Sequence, residues 1–302
     1  MVLGAARGGD IGRARAAAGT AMRAAGIDVR PAESPADIQQ VRAVLDEVFR
    51  PEPGESEASL SLLVALAHTG QYVVLARDLR ADGHPVLATS VGFFCAPDRS
   101  TLHSHVTAVR EAGRGRRAGW AVKLHQRCWA MTGGLDTITW TFDPLVRRNA
   151  WFNITKLGAL PTAFEVDLYG AIADAVNTGD ESDRLVLAWR LWSERVVAAC
   201  GGAPSVPAVA GMLQSGVPQL LTMGAGEVPL RASLPPGARS GLVQVPPDIE
   251  AMREGDPALA LRWRQELRAA FTGAGERGLE VTGMGRDGWY VLGPGSAEGD
   301  PA

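Results

Sequence analysis

Apolar and polar positions settle into regular periods from Ile27 onward. "IDVRP" (27–31) alternates like a half-buried strand, and "SPADIQQVRAVLDEVF" (34–49) sets Ile38, Val41, Leu45 and Val48 on one helical face behind Ser34 as N-cap and Pro35 in the first turn. A second helix, "SEASLSLLVALAHTG" (56–70), closes on Gly70. Two strands follow, "QYVVLARDL" (71–79) and "VLATSVGFFCA" (86–96), separated by a segment whose Asp82-Gly83 pair is a hairpin signal. After the turn "APDRS" comes "TLHSHVTAV" (101–109), so three consecutive antiparallel strands are expected. "GWAVKLHQRCWAMTGG" (119–134) has helical spacing with Trp120, Leu124 and Cys128 on one side, and "DTITWTFDP" (136–144) is a strand stopped by Pro144. "LVRRNAWFNITKLG" (145–158) reads as a helix capped by Gly158, and "LPTAFEVDLYG" (160–170) and "SDRLVLAWRL" (182–191) as two further strands.

A strand joined through a helix to the next strand forms a right-handed crossover with the two strands parallel, whereas direct hairpins are antiparallel. The expected class is therefore α/β in the α+β sense: a mixed, mostly antiparallel sheet flanked by helices, with a C-terminal α+β extension. From about Val196 the texture shifts to Gly, Pro and Ala, in "AACGGAPSVPAVAGML" and "SLPPGARSG", which implies loops around short strands. "GLVQVPPDIEAM" then leads to a helix with Asp256 as N-cap, Pro257 in its first turn, and Trp263, Leu267 and Phe271 four apart; the hairpin "GLEVTGMGRDGWYVLG" follows. The expected plan is a flexible tail at 1–26, frayed or helical and outside the fold, a main domain at 27–195 and an α+β subdomain at 196–302 that repeats part of the first half as a degenerate half-domain. That subdomain carries no catalytic motif. Its expected part is to wall off an acceptor pocket, with Trp289 and Tyr290 either lining that pocket or in the core, and "GSAEGDPA" disordered at the end.

Composition narrows the functional classes. With 30 basic against 33 acidic residues in 302, no polyanion such as nucleic acid is called for, and any basic site must be local. Cys95, Cys128 and Cys200 are scattered and lack metal-ligand spacing, against both a disulfide framework and a zinc site; a reducing cytoplasm fits best. No stretch is long and apolar enough to span a bilayer, and 1–26 lacks the apolar core of a signal peptide, although its arginine-rich, acid-poor start keeps export as an alternative.

The local basic site is "GRGRRAG" (113–119), where a strand feeds a helix N-terminus. Converging N–H groups, positive charge and little bulk suit a diphosphate, while the plain alternative is a solvated basic loop capping a helix. Element order, turn and following helix resemble the GNAT superfamily of acyl-CoA-dependent N-acyltransferases, whose pyrophosphate turn reads Gln/Arg-x-x-Gly-x-Gly/Ala. Aligned on "GWAVKL", that pattern falls on Arg114, Gly115, Arg116, Arg117, Ala118 and Gly119. "LHSHVTAV", "ITWTFDPLVRRNAWFNITKLGA", "DLYG" and "SDRLVLAW" resemble more narrowly a group of two-part bacterial GNAT-like proteins, from roughly Ile27 to Leu191, and "DPALALRWRQELRAAFTGAGERGLEVTG" extends the likeness.

The resemblance implies acetyl-CoA or a longer acyl-CoA in a V-shaped opening between two splayed parallel strands. Pantetheine would pair with the backbone of Thr107, Ala108 and Val109, the diphosphate with the N–H groups from Arg114 to Gly119, and Arg147 would reach the pantetheine or adenine, its simpler role being solvent exposure. Arg117 stands where the pattern has its first glycine, so it either swings outward to add a phosphate contact or blocks the niche. Ile154 occupies the place of a tyrosine that in many relatives protonates the departing thiolate.

Direct acyl transfer to an amine requires a proton acceptor and neither metal nor covalent nucleophile. His103 and His105, two apart on one strand, face the same side and suit a general base, or else are hydrogen-bonded sheet residues; two histidines without a third ligand make no metal site. Asp143 either orients an acceptor amine or caps the next helix, and Tyr169 is a replacement acid or a structural residue. Lys123 and His125 read as surface positions. The leading reading is transfer to a small-molecule amine. The alternatives are a GNAT-shaped module that binds a thioester or a partner, or thioester chemistry redirected to hydrolysis, decarboxylation or O-acylation in a biosynthetic pathway; a homodimer stays open.

Overall fold

The computed structural model describes residues 2–51, 56–96, 100–170 and 180–295. In chain order they form α1 (Val2–Ala25), β1 (Ile27–Pro31), α2 (Pro35–Phe49), α3 (Leu60–His68), β2 (Tyr72–Asp78), β3 (Val86–Phe94), β4 (Thr101–Val109), α4 (Ala118–Thr132), β5 (Thr137–Phe142), α5 (Arg147–Ala150), β6 (Leu160–Glu165) and β7 (Arg184–Arg190). Then come α6 (Glu194–Cys200), α7 (Val209–Gln214), β8 (Gln219–Met223), β9 (Pro229–Arg231), β10 (Gly241–Gln244), α8 (Ile249–Gly255), α9 (Pro257–Gly275), β11 (Leu279–Met284) and β12 (Trp289–Pro294). The class is the one expected: mixed, mostly antiparallel sheet flanked by helices, with additional α+β structure toward the C-terminus. Residues 296–302, expected to be disordered, lie outside the described residues.

Two compact units divide the described residues, the first taking 2–140 and 190–201 and the second 141–189 and 202–295. In the first, β1, β2, β3 and β4 pair in sequence, all antiparallel, and β5 joins β4 in parallel after the α4 crossover. Ser34 caps α2 as expected: its Oγ accepts from Asp37 N–H at 3.1 Å, and the Asp37 carboxylate accepts from Ser34 N–H at 3.2 Å. Ile38, Val41 and Leu45 of α2 then join Leu63, Val91 and Val106 in one buried cluster.

The tail expected at 1–26, frayed or helical, does not lie outside the fold: Val2–Ala25 is a helix docked on α4. Ala14, Ala18, Ala21 and Ala25 are at most 8% exposed, and their four-three-four spacing makes a flat stripe on one face. Alanine adds little to an apolar periodicity, so the stripe is easily passed over, yet small side chains let two helices approach closely. The helix end is tied down by cations on its last carbonyls: Arg80 Nη2 donates to Ala24 O at 2.8 Å and Arg116 Nη2 to Ala25 O at 3.0 Å.

The second unit holds the β6–β7 hairpin and a sheet in the order β11-β12-β10-β8-β9, with β8 and β10 parallel. Asp256 caps α9 as expected, accepting from Leu259 N–H at 3.0 Å, and Trp263, Leu267 and Phe271 are buried. Phe271 meets Tyr290 and Phe164 edge-on, with centroids 5.3 and 5.4 Å apart. The division expected at 195/196 is not where the contacts divide. Thr155 Oγ1 donates to Met284 O at 2.6 Å and Tyr290 OH to Pro144 O at 2.7 Å, so residues after 140 are bonded into the C-terminal part. The single helix expected over 145–158 is one α turn followed by a π-helical turn, Trp151–Lys156.

Docking of α1 is testable by overfilling its stripe. Ala18→Leu should cost about 1–3 kcal/mol, read as a lower midpoint in chemical denaturation, whereas the exposed control Ala16→Leu should stay within about 0.5 kcal/mol. Equal stability of the two variants would mean that α1 is not packed.

Candidate functional site

The site begins where β4 and β5 part. They pair only at Thr101, Leu102 and His103 against Thr137, Ile138 and Thr139, and β4 then continues to Val109 without β5 beside it. The parallel pair is thus a V whose apex lies at Ser104 and Trp140. On the other edge of β4, Arg110 N–H donates to Leu87 O at 2.9 Å, which sets the phase of the ladder with β3. Bonded and non-bonded positions alternate in an antiparallel pair, so Ala108 is turned toward β3 while Thr107 and Val109 present their peptide groups to the open side. Of the three backbone positions expected to face the V, Ala108 is therefore corrected to a sheet position.

A register shift opposite Val91 and Gly92 leaves His105 as the extra residue of a β-bulge. Gly92 is required there, since a Cβ would lie 2.9 Å from His103 O. The bulge keeps the two histidines together on one side: both rings lie against Phe93, at 5.2 and 5.9 Å, and 6.3 Å from each other. Burial, then the neighbouring His105 and Lys123, lower the His103 pKa from its ordinary value, so at neutral pH its imidazole is uncharged and able to accept a proton.

At the wide end of the V, a short turn at Glu111–Gly113 and the residues Arg114 to Arg117 lead into α4. Gly113 stays bare because a Cβ would sit 3.0 Å from Val109 Cγ1, and Gly115 turns at φ 74°. Arg117 is the helix N-cap in a left-handed conformation, φ 64°, ψ 25°, and its side chain is exposed, as is Arg114. The first bond of the helix runs from Ala121 N–H to Arg117 O at 3.1 Å, so the Ala118 and Gly119 N–H groups aim out of the helix start. No acidic residue stands in that first turn. Arg116 is otherwise engaged: it donates to both Asp78 oxygens at 2.6 and 2.7 Å, and this bond, with the Arg80 N–H, holds the Asp78 pKa down to about 2. Of the three arginines expected to give the turn its charge, the Arg116 side chain is thus an anchor for the turn. Backbone donors, exposed arginines and an open strand edge thus line one opening, with N–H groups at its wide end suited to an anion.

Lys123, expected at the surface, is 5% exposed. Its Nζ donates to Gln126 Oε1 at 2.6 Å and Ser104 Oγ at 3.2 Å and lies 4.0 Å from the Trp140 ring centre, at the apex of the V. Burial brings its pKa down to about 7. His125 is partly buried as well, with Nδ1 2.9 Å from Tyr72 OH. The sequence signal that could have placed both is α1: a helix covered on its outer face by another helix has no wholly wet side.

Among the other candidates, Asp143 neither orients an amine nor caps a helix. It is buried with Asp180 and accepts from Arg264 at 2.9 and 2.8 Å and from Arg253 at 2.5 Å, while its Oδ1 takes Leu145 N–H at 2.9 Å. Burial would raise its pKa, but Arg264 and then Arg253 hold it well below the ordinary carboxylate range. Arg147 spends its guanidinium on Arg286 O, at 3.2 and 2.7 Å. Tyr169 OH is 2.9 Å from Thr141 Oγ1, and Ile154 is fully buried in the second unit. Among the described residues no group of three or more His, Cys, Asp or Glu could hold a metal, and no helix is long and apolar enough to cross a membrane. A cleft of about 540 Å³ lined by residues such as Ser34, His68, Tyr72 and Trp129 shares no residue with the V.

No family model and no curated protein matches the chain. Solved structures of GNAT-family acetyltransferases align with about 55% of its length. A protein of that family from Desulfovibrio desulfuricans has 14% identity and a TM-score of 0.44, covering 55% of this chain and 99% of its own. A GNAT-family acetyltransferase from Streptococcus pneumoniae has 15% identity and 0.43, covering 54% and 97%. A Salmonella typhimurium protein described as an acetyltransferase, with its cofactor acetyl-CoA, has 15% identity and 0.44, covering 56% and 95%.

Two measurements check these structural assignments. Asp143→Ala leaves two buried arginines short of a partner and should cost about 3–5 kcal/mol in denaturant melts; a loss under about 1 kcal/mol would mean the cluster is not formed. Because the folded Asp78 pKa lies below its unfolded value, its contribution is complete above about pH 4 and is lost as pH falls toward about 2. Arg116→Ala should remove that part of the acid dependence.

Proposed function

We propose that the chain is an acyltransferase that moves an acetyl or longer acyl group from acyl-CoA directly to a small-molecule amine. The observation that carries this is the open edge of β4 beyond His103, ending at a helix start with outward N–H groups. When bound, the acyl-CoA supplies a thioester carbonyl open to attack by an amine. The peptide groups of Thr107 and Val109 hold its pantetheine amides, and Ala118 and Gly119 N–H with Arg114 and Arg117 face its diphosphate. His103, uncharged near neutrality, takes the proton given up by the acceptor nitrogen, directly or through water, with His105 beside it. The scattered free cysteines favour a reducing, cytoplasmic setting.

A second reading, a thioester-binding module without transfer, draws support from Ile154, an apolar buried residue where the resemblance expects a proton-donating tyrosine. Calorimetric titration with acetyl-CoA and thiol release measured with and without a panel of small primary amines separate the readings. Transfer gives binding and amine-dependent release; a module gives binding alone; release without amine means hydrolysis; absence of binding removes all three.

His103→Ala should keep acetyl-CoA affinity and lower kcat about 100-fold or more. In the unaltered chain, kcat/KM should reach its plateau at a pH below that of an ordinary histidine, because the pKa is lowered and the neutral form accepts the proton. An unchanged kcat in His103→Ala would exclude it as the base.

A further inference from the structure

Resting on that reading, we propose that Lys123 is the proton donor to the departing thiolate. The open edge of β4 runs from Val109, beside the first turn of α4, to Ser104 at the apex, a distance of about 17 Å of strand. A donor whose diphosphate sits on the α4 start therefore extends its reacting end toward Ser104. Lys123 Nζ is there already, 3.2 Å from Ser104 Oγ and 4.0 Å from the Trp140 ring centre.

The surroundings hold the ammonium in that place at a structural cost. Gln126 is fully buried; its Oε1 accepts from Nζ at 2.6 Å, and among the described residues its Nε2 has no hydrogen-bond partner. Flipping the amide would set its NH₂ against the Nζ donors, so the unpartnered Nε2 follows from accepting the Lys123 hydrogen bond in the apex. A packing residue at this position would be cheaper as Met or Leu. Composition points the same way: of 30 basic residues only Lys123 and Lys156 are lysines. Arginine does not give up its proton in proteins, and lysine in a buried site does. The lowered pKa of Lys123, about 7, suits a donor that must be charged before the step and neutral after it.

The step balances. As the acceptor nitrogen bonds to the carbonyl carbon and the C–S bond breaks, the electron pair stays on sulfur and Lys123 Nζ gives sulfur one proton. His103 has taken one proton from the acceptor nitrogen and returns it to solvent, and Lys123 is recharged from solvent. One amide and one thiol are formed. Of the groups around Nζ, β4 brings His103, one residue from Ser104; α4 brings Gln126, and Arg127 with its guanidinium on Leu191 O at 2.6 Å; β5 brings Trp140. The rate should therefore be bell-shaped in pH, rising with neutral His103 and falling as Lys123 loses its proton.

Two lysines make a direct test simple. Protein labelled with ¹³C at the lysine ε-carbon has two side-chain signals, and without ligand one should titrate near 7 and disappear in Lys123→Arg. Lys123→Met should fold, bind acetyl-CoA within about threefold of the parent and lose about 100-fold in kcat. With S-phenyl thioacetate, whose thiolate leaves without a proton, the same variant should lose under about tenfold. The proposal is overturned if both lysines titrate near their ordinary value, if Lys123→Met keeps its kcat, or if the loss is equal for the two thioesters, as a purely structural role would give. Failure of the unaltered chain to release thiol with any amine would overturn the transfer reading as well, while normal release by Lys123→Met overturns this inference alone.

Discussion

Burial of α4 on both of its faces is the constraint on which the first unit depends. The sheet covers one side and α1 the other, through alanines at 14, 18, 21 and 25. A helix so enclosed must satisfy its polar side chains internally. Arg127 gives its guanidinium to Leu191 O, His125 meets Tyr72 OH, and Lys123 reaches Ser104 and Gln126. The same enclosure fixes where α4 starts. Arg116, just before it, is clamped between Asp78 and Ala25 O, so the N–H groups at the wide end of the V are held by covalent connection to an anchored residue.

The second unit is organised around charge. Asp143 and Asp180 share Arg253 and Arg264, all at most 8% exposed. Such a cluster adds little net stability compared with a well-packed apolar core, but loss of one member strands the rest, so it specifies one arrangement of the chain segments that carry it. Those segments come from before β6, before β7, and from α8 and α9. This explains why residues 141–189 belong with the C-terminal part, although a change in composition marks 196 as the boundary.

On the proposed reading, the V divides acid from base by environment. His103 lies beside the bulge, against Phe93, its pKa depressed by burial and by nearby charge, and is ready to accept a proton. Lys123 sits on the other side of β4, at the apex, against an aromatic face that favours the charged form within a site that disfavours it. Burial lowers the pKa of both groups, and for Lys123 this brings it to about 7. The fully buried Ile154 accords with a donor drawn from α4 instead of the later helix.

Much of this is legible in the sequence. Local signals at Ser34, Asp82-Gly83, Asp256-Pro257 and the alternation in β1 depend on neighbours in sequence, and they identified most of the elements and the class. The basic turn was located by the same means. What sequence could not decide was which polar side chains are enclosed, because enclosure depends on residues far along the chain. Alanine spacing in 1–26 is too weak an apolar signal to announce that α1 covers α4, so Lys123 and His125 read as wet. Asp143 reads as a cap until Arg253 and Arg264 arrive from more than a hundred positions away. Ala108 and Thr107 differ only in the phase of a ladder, which is set by the Arg110 bond to Leu87. Sequence alone determined the elements and their order, since short-range sterics and periodicity encode them; tertiary structure alone decided which charges lost their water.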